Sequence, residues 1–188
     1  MNLLNHSPIS SNIYLRNGFD GTSIREIANE CQINKSLIYH HFDSKERLWK
    51  AVKEYIIEQT TETPLENIDF SSKTLKEFLE KIVNFRFNLY AQNSDLIKLM
   101  LWQRIKKSNT EKAGIDKIKV QDIYNQIEKL QANNKISKKY DSEMISYLIF
   151  STASSCFIDQ VSFIKNDEVT KKKYLIMIID CLEKALKP

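Results

Sequence analysis

The chain has 188 residues, of which 42% are hydrophobic and 28% are charged, a composition typical of one folded domain or of a small domain joined to a larger one. It contains only three glycines and three prolines. Glycine-rich loops that cradle phosphate groups therefore cannot occur in it, which excludes nucleotide-binding α/β folds of that kind. Few chain-breaking residues, with apolar residues at every third or fourth position, predict an all-α protein.

The formal net charge is +4, but the basic excess is not in the N-terminal third. Residues 1–60 carry seven Lys or Arg and seven Asp or Glu. Charge alone therefore does not predict nucleic-acid binding.

The cysteines and the apolar tracts predict a location for the protein. Cys31, Cys156 and Cys181 are odd in number and have no CxxC spacing, which favours a reducing compartment. Neither a signal-peptide pattern nor an uninterrupted apolar tract of spanning length is present. We therefore expect a cytoplasmic protein without a membrane span.

The N-terminal third is predicted to form four short helices. The first begins at Ser7-Pro8 and ends at Asn17-Gly18, by the usual preferences at helix ends. The second helix follows a cap at Thr22 or Ser23, with Glu26 completing a capping box. Asn34 is the predicted cap of the third helix, which covers residues 35–41. The fourth helix begins after Asp43, which forms a capping box with Glu46. A turn of three residues separates the second and third helices, as in a helix-turn-helix motif or in a simple helical hairpin.

Residues 60–72 form the one clear break in composition, so we predict a first domain over residues 1–56 and a second over residues 57–188. Apolar spacing in the second predicts helices at about residues 73–91, 94–107, 116–133, 142–165 and 169–187.

Residues 9–56 resemble the DNA-binding domain of the TetR family of bacterial transcriptional repressors. The matching positions are Gly18-Phe19, Thr22, Ile27-Ala28, Cys31, Ile33, Tyr39, His41-Phe42, Lys45 and Leu48. The resemblance implies a three-helix, helix-turn-helix DNA-binding domain followed by a helical domain that binds an effector and forms a homodimer.

The resemblance also assigns roles to single residues. Tyr39 and Lys45 match residues that contact the DNA backbone, and Lys45 lies where a helix N-terminus offers N–H groups to phosphate. The other candidate DNA-binding residues are Thr22, Ser23, Arg25, Lys35, Ser36, Leu37 and His40. Packing is the alternative role for Tyr39, and a solvated charge is the alternative for Arg25.

Two positions depart from the family pattern. Gln32 lies where the family usually has glycine, so we expect a non-glycine residue to hold a left-handed backbone there. Residues 1–8 contain no Lys or Arg, although the family often has a basic arm before its first helix.

We expect no metal site, no cofactor and no enzymatic activity. The adjacent His40 and His41 point about 100° apart on a helix and cannot chelate from one face. All three histidines lie in the N-terminal region, whereas the serine and cysteine cluster of residues 151–156 lies far from them. A catalytic triad is therefore not expected, and the run of small residues there suits close helix packing instead.

The second domain offers candidates for two further sites. An effector pocket is predicted from aromatic residues and isolated polar groups: Phe85, Arg86, Tyr90, Trp102, Gln103, Tyr124, Tyr147 and Phe150. A buried arginine could pair with an anionic ligand, although we expect an exposed salt bridge for Arg86. The resemblance implies a dimer interface on the last two helices, with Ser151, Ser155, Ile158, Ile178 and Leu182 as candidates.

The sequence therefore predicts a ligand-responsive repressor that binds an inverted-repeat operator as a homodimer. One alternative is a regulator without a small ligand. A second is a helical small-molecule-binding or protein-interaction module with a vestigial helix-turn-helix.

Overall fold

The structure, a computed structural model, describes residues 7–60, 68–105, 120–158 and 167–188, and within them every regular element is an α-helix. The all-α prediction is confirmed. The helices are α1 (Ser7–Gly21), α2 (Ile24–Glu30), α3 (Lys35–Phe42), α4 (Lys45–Glu58), α5 (Leu75–Gln92), α6 (Ser94–Ile105), α7 (Val120–Ala132), α8 (Ser142–Ile158) and α9 (Glu168–Leu186). The predicted break at residues 106–114 and the predicted end of α8 lie outside the described residues.

The described chain divides into two compact units. Unit 1 is formed by the described parts of Met1–Glu62 and Ser94–Asp116, and unit 2 by those of Thr63–Asn93 and Lys117–Pro188. The helix α6 therefore belongs to unit 1, whereas the predicted boundary at residues 56 and 57 assigns it to the second domain. That boundary stays a prediction.

In unit 1, α1 packs against α2, α4 and α6 around a core of aliphatic and aromatic side chains. Tyr14 is fully buried, and its ring lies 4.8 Å from that of Trp49, centroid to centroid. Its hydroxyl donates to the carbonyl oxygen of Lys45 at 3.5 Å. Burial raises the pKa of this phenol well above its ordinary value. The first helix is thereby fixed to the start of α4.

A kink at Gly18 interrupts α1 and makes room for α6. Gly18 has φ 71° and ψ −179°, a conformation that is essentially restricted to glycine. The indole of Trp102 on α6 lies directly over it, and its Nε1 donates to the carbonyl oxygen of Leu15 at 3.1 Å. The helix therefore bends at the predicted Asn17-Gly18 stop and continues to Gly21.

Side-chain caps begin the next helices. The predicted caps at Ser23 and Asn34 are confirmed, because Ser23 Oγ accepts from the Glu26 N–H and Asn34 Oδ1 from the Ser36 N–H. The predicted cap of α4 at Asp43 is wrong. Ser44 Oγ accepts from the Arg47 N–H instead, and Asp43, with φ 55°, ends α3.

In unit 2, α5 packs against α8 and α9, and α7 packs against α8. Buried aliphatic and aromatic residues of these four helices form its core, and buried amides connect the helices to the turns. Gln126 Nε2 donates to the carbonyl oxygen of Ser72 at 2.7 Å, and the Ser137 N–H donates to that of Leu186 at 2.8 Å. In the part of the chain that the structure describes, no helix is long and apolar enough to span a membrane.

Candidate nucleic-acid interface and ligand site

The helix α3 presents a polar stripe to solvent. Ile38 is buried and fixes the inner face of the helix. The exposed residues Lys35, Ser36, Tyr39 and His40 lie on the opposite side, within about 140° of the helix circumference. Tyr39 is 41% exposed, and the Lys35 ammonium lies 5.5 Å from the centre of its ring. The stripe offers a cation, two hydroxyls and an imidazole.

The turn before α3 has the hydrogen bonds of a Schellman motif. The Gln32 N–H donates to the carbonyl oxygen of Asn29 at 3.1 Å and the Ile33 N–H to that of Ala28 at 2.9 Å. Gln32 has φ 54°, so the predicted left-handed backbone at this position is confirmed. This tight turn sets the angle at which α3 leaves α2.

Two further cations flank the stripe. Arg25 is exposed near the start of α2, and Lys45 is the first residue of α4, at a helix N-terminus, whose dipole favours an anion. The Lys45 ammonium lies 4.4 Å from the centre of the Phe19 ring, which holds the side chain in place. Arg16 and Arg47 are instead paired with Glu26 and Asp43.

The remaining predicted DNA-binding residues are less available. Thr22 is buried, and its hydroxyl donates to the Gly18 carbonyl oxygen at 2.7 Å. Ser23 and Ser36 are exposed, but Ser23 caps α2, and the Ser36 hydroxyl donates to Asn34 Oδ1 at 2.9 Å. Leu37 is half-buried. These residues shape the motif more than they offer free polar atoms.

The two adjacent histidines do not converge on one point. Their rings are 5.4 Å apart and nearly perpendicular. Among the described residues, no group of three His, Cys, Asp or Glu side chains is arranged to hold a metal ion.

Three of the candidate effector residues come together in unit 2. Arg86 on α5 is 4% exposed, its guanidinium carbon lies 3.7 Å from the centre of the Phe150 ring, and its Nη1 donates to the Tyr90 hydroxyl at 3.4 Å. The exposed salt bridge expected for Arg86 is therefore wrong. Phe157 completes the cluster, with its ring 4.8 Å from that of Phe87 and 6.1 Å from that of Tyr90.

The other effector candidates lie elsewhere. Trp102 and Gln103 belong to α6 in unit 1, where Trp102 covers Gly18. Phe85 packs edge-on against Phe70 with ring centres 5.5 Å apart. Tyr147 is 75% exposed and Tyr124 is half-buried. Phe87 and Phe157 were not among the predicted effector residues, since apolar spacing alone does not identify which core residues pack against one another.

The predicted dimer residues divide between two environments. Ile178 and Leu182 are buried inside unit 2, so they are not available to a partner. Ser151, Ser155 and Ile158 are half-buried on α8. They continue a row of exposed apolar residues that the prediction missed: Met144, Tyr147 and Leu148 on α8, with Ile176 and Met177 exposed on α9. We call these five residues the apolar patch.

Comparisons with known proteins agree with this geometry. The family described as bacterial regulatory proteins, tetR family, matches residues 12–52. The uncharacterized HTH-type transcriptional regulator YerO of Bacillus subtilis is 36% identical over 104 residues, which are 54% of this chain and 36% of YerO. The chain covers less than half the length of the curated relatives that it matches first.

Solved structures of similar fold span almost the whole chain. AibR in complex with isovaleryl coenzyme A and operator DNA has a TM-score of 0.64 at 17% identity, covering 95% of this chain and 96% of AibR. FadR from Bacillus subtilis in complex with stearoyl-CoA has a TM-score of 0.63 at 16% identity, covering 96% and 97%. At these identities the likeness concerns the fold. The family match over residues 12–52 confirms the resemblance drawn from the sequence: this N-terminal part of the chain matches the tetR family of bacterial regulatory proteins.

Proposed function

We propose that the protein is a transcriptional regulator that binds operator DNA through α3 and responds to a small ligand bound in unit 2. The observation that carries the proposal is the exposed polar stripe of α3, placed between the cations Arg25 and Lys45. An α-helix fits the major groove of B-DNA, where such side chains reach base edges while the flanking cations reach phosphates.

The zero net charge of residues 1–60 does not weaken this proposal, because two of the seven acids already form ion pairs with other cations. Glu26 and Asp43 are occupied by Arg16 and Arg47. Arg25, Lys35 and Lys45 form no ion pair with any residue that the structure describes, so their charges are available to phosphate.

The apolar patch supports a homodimer. Met144, Tyr147 and Leu148 are spaced three and four residues apart on one face of α8, the periodicity of a helix that packs against a partner. An isologous dimer carries two copies of α3 that are related by a two-fold axis. Two half-sites of an inverted repeat would then be bound together, most simply as a repressor.

Ligand response is proposed from the cluster of Arg86, Tyr90 and Phe150 and from the fold. AibR and FadR, which share the fold, were solved with isovaleryl coenzyme A and stearoyl-CoA. Binding in unit 2 would favour one spacing of the two reading helices over another, which couples the two sites.

The test is fluorescence anisotropy of the purified protein with a duplex from the DNA upstream of its own gene, beside a scrambled duplex. Tyr39→Phe removes one hydroxyl that would donate to phosphate, so we expect about a tenfold weaker affinity. Lys45→Ala should weaken binding to all duplexes and lower the salt dependence by about one released counterion.

Lys138→Ala, which removes an exposed lysine of unit 2, is the control and should bind like the wild type. Normal binding by both Tyr39→Phe and Lys45→Ala would overturn the role given to α3. Equal, weak binding of wild type to both duplexes would favour a vestigial helix-turn-helix.

A further inference from the structure

The guanidinium of Arg86 is buried, and one of its donors has no acceptor in the part of the chain that the structure describes. Nη1 donates to the Tyr90 hydroxyl at 3.4 Å, which is a long hydrogen bond. Nε is buried and has no acceptor among the described residues. Buried polar groups normally have partners, so an unpaired donor on a buried cation requires an explanation.

No acidic side chain of the described residues compensates this charge. The ion pairs of unit 2 lie at its surface, between Lys81 and Glu77, Lys171 and Glu168, and Lys187 and Glu183. Burial lowers the pKa of Arg86, but an arginine remains protonated in proteins. The face of Phe150 stabilises the cation by a cation–π contact, which is weaker than the desolvation that burial imposes.

We propose that Arg86 recognises the carboxylate of an organic acid with an apolar body, and that this acid is the ligand of unit 2. The inference deepens the proposed function and rests on it for the regulatory consequence. The carboxylate would approach the guanidinium edge that carries Nε, opposite the donor used by Tyr90. Two parallel N–H···O bonds form in that arrangement, which suits a planar carboxylate.

The aromatic rings near Arg86 favour an apolar body for the ligand. Phe150 lies over the guanidinium and Tyr90 accepts from it, while the ring of Phe157 lies beside those of Tyr90 and Phe87. These rings would pack against an aliphatic or aromatic body. A phosphate dianion is disfavoured because it would need further donors, and Arg86 is the only buried cation of unit 2 among the described residues. Phe150 and Phe157 are only half-buried, so both rings can turn aside when the acid enters between α5 and α8.

The experiment is an NMR titration of the full-length protein labelled with ¹⁵N. The sequence has five arginines, so the Nε–Hε region of the spectrum contains few signals. The Arg86 signal is identified as the one that is absent from the spectrum of the Arg86→Lys variant. The probes are phenylacetate and octanoate, each beside its neutral amide at the same ionic strength. We expect both acids to move the Arg86 Hε signal downfield with saturation, and the amides to leave it unmoved.

Arg86→Met is the second variant, and it separates a ligand-binding residue from a structural one. If the arginine is kept for the ligand, Arg86→Met should lose at least tenfold in affinity for both acids and should melt at a higher temperature than wild type. Failure of both acids to move the Arg86 signal at millimolar concentration would overturn the proposal. So would equal binding of acid and amide.

Operator binding is measured in parallel so that the two proposals can fail separately. Acid binding through Arg86 without any change in operator affinity would support the anion site and contradict ligand response. Sequence-specific DNA binding without acid binding would support the proposed transcriptional regulator and contradict the carboxylate site at Arg86.

Discussion

At the scale of single residues, Gly18 is a position where the fold does not accommodate a side chain. A Cβ added there would lie 2.6 Å from Trp102 Cε3 and 2.7 Å from Cζ3, and the backbone has φ 71°. Strain and overpacking add, so Gly18→Ala should lower the free energy of unfolding by about 3 kcal/mol. Urea denaturation followed by circular dichroism measures this change.

Gly21→Ala provides the matched control within the same helix. A Cβ at Gly21 would meet only Asn17 Cβ, at an ordinary 3.5 Å. This variant should unfold within about 1 kcal/mol of wild type. If the two alanine variants were equally stable, the tight contact between Gly18 and Trp102 would have to be rejected.

The sequence predicted a helix break at Gly18 but not the packing of Trp102 that requires it. A turn residue is recognised from its immediate neighbours, as the left-handed Gln32 between two helices shows. The partner of Gly18 is Trp102, 84 positions away, and a contact of that kind depends on packing. For the same reason the sequence did not predict that Trp102 covers Gly18.

At the scale of the element, the start of α5 carries a capping box that makes stability depend on pH. Thr74 Oγ1 accepts from the Glu77 N–H at 3.1 Å, and Glu77 Oε2 accepts from the Lys73 N–H at 3.0 Å. The hydrogen bond from the Lys73 backbone, assisted by Lys81, lowers the pKa of Glu77 below its ordinary 4.5. Hydrogen bonds from Ser71 and Thr170 lower the pKa of Asp69 and of Asp167 in the same way.

A carboxyl whose pKa is lower in the folded than in the unfolded state stabilises the fold above its unfolded pKa. That contribution is lost as the pH falls through the folded pKa. We therefore expect the free energy of unfolding to decrease below about pH 4.5, with a smaller decrease in Glu77→Gln. Urea denaturation at a series of pH values measures both slopes.

Glu80→Gln is the control, because Glu80 is exposed on the same helix and its carboxylate makes no hydrogen bond with a described residue. It should follow the wild-type curve. A Glu77→Gln curve parallel to wild type would show that this capping box does not govern the acid response.

Caps were the most predictable part of the elements, because their chemistry is local. Ser23 and Asn34 were identified before α2 and α3. The error at Asp43 was a shift of one residue. Asp43 and Ser44 both suit a cap, and only the backbone shows that Asp43 ends the preceding helix at φ 55°.

At the scale of the whole molecule, the apolar patch predicts the oligomeric state. Tyr147 is 75% and Met177 53% exposed, and burial of such side chains drives association. Tyr147→Lys and Met177→Lys should convert a dimer to monomers at micromolar concentration and reduce operator affinity at least tenfold. Sedimentation velocity and the anisotropy assay measure the two effects.

Ala132→Lys places the same charge at an exposed position of α7 and should remain dimeric. A monomeric wild type, or lysine variants that sediment as dimers, would contradict the assignment. The sequence analysis predicted the interface on α8 and α9 but chose Ile178 and Leu182, which are buried. Both follow the apolar spacing of α9, and spacing alone does not separate residues that face the core from residues that face a partner.

The path of the chain has a consequence for how the protein can be divided into fragments. The chain forms α1–α4 of unit 1, forms α5 in unit 2, and then contributes α6 to unit 1 before completing unit 2. A fragment that ends at residue 62 would lack Trp102 and leave Gly18 and the Leu15 carbonyl uncovered. Unit 1 is thus not formed by one continuous segment, and a chimera that replaces it would have to exchange two separate stretches of gene.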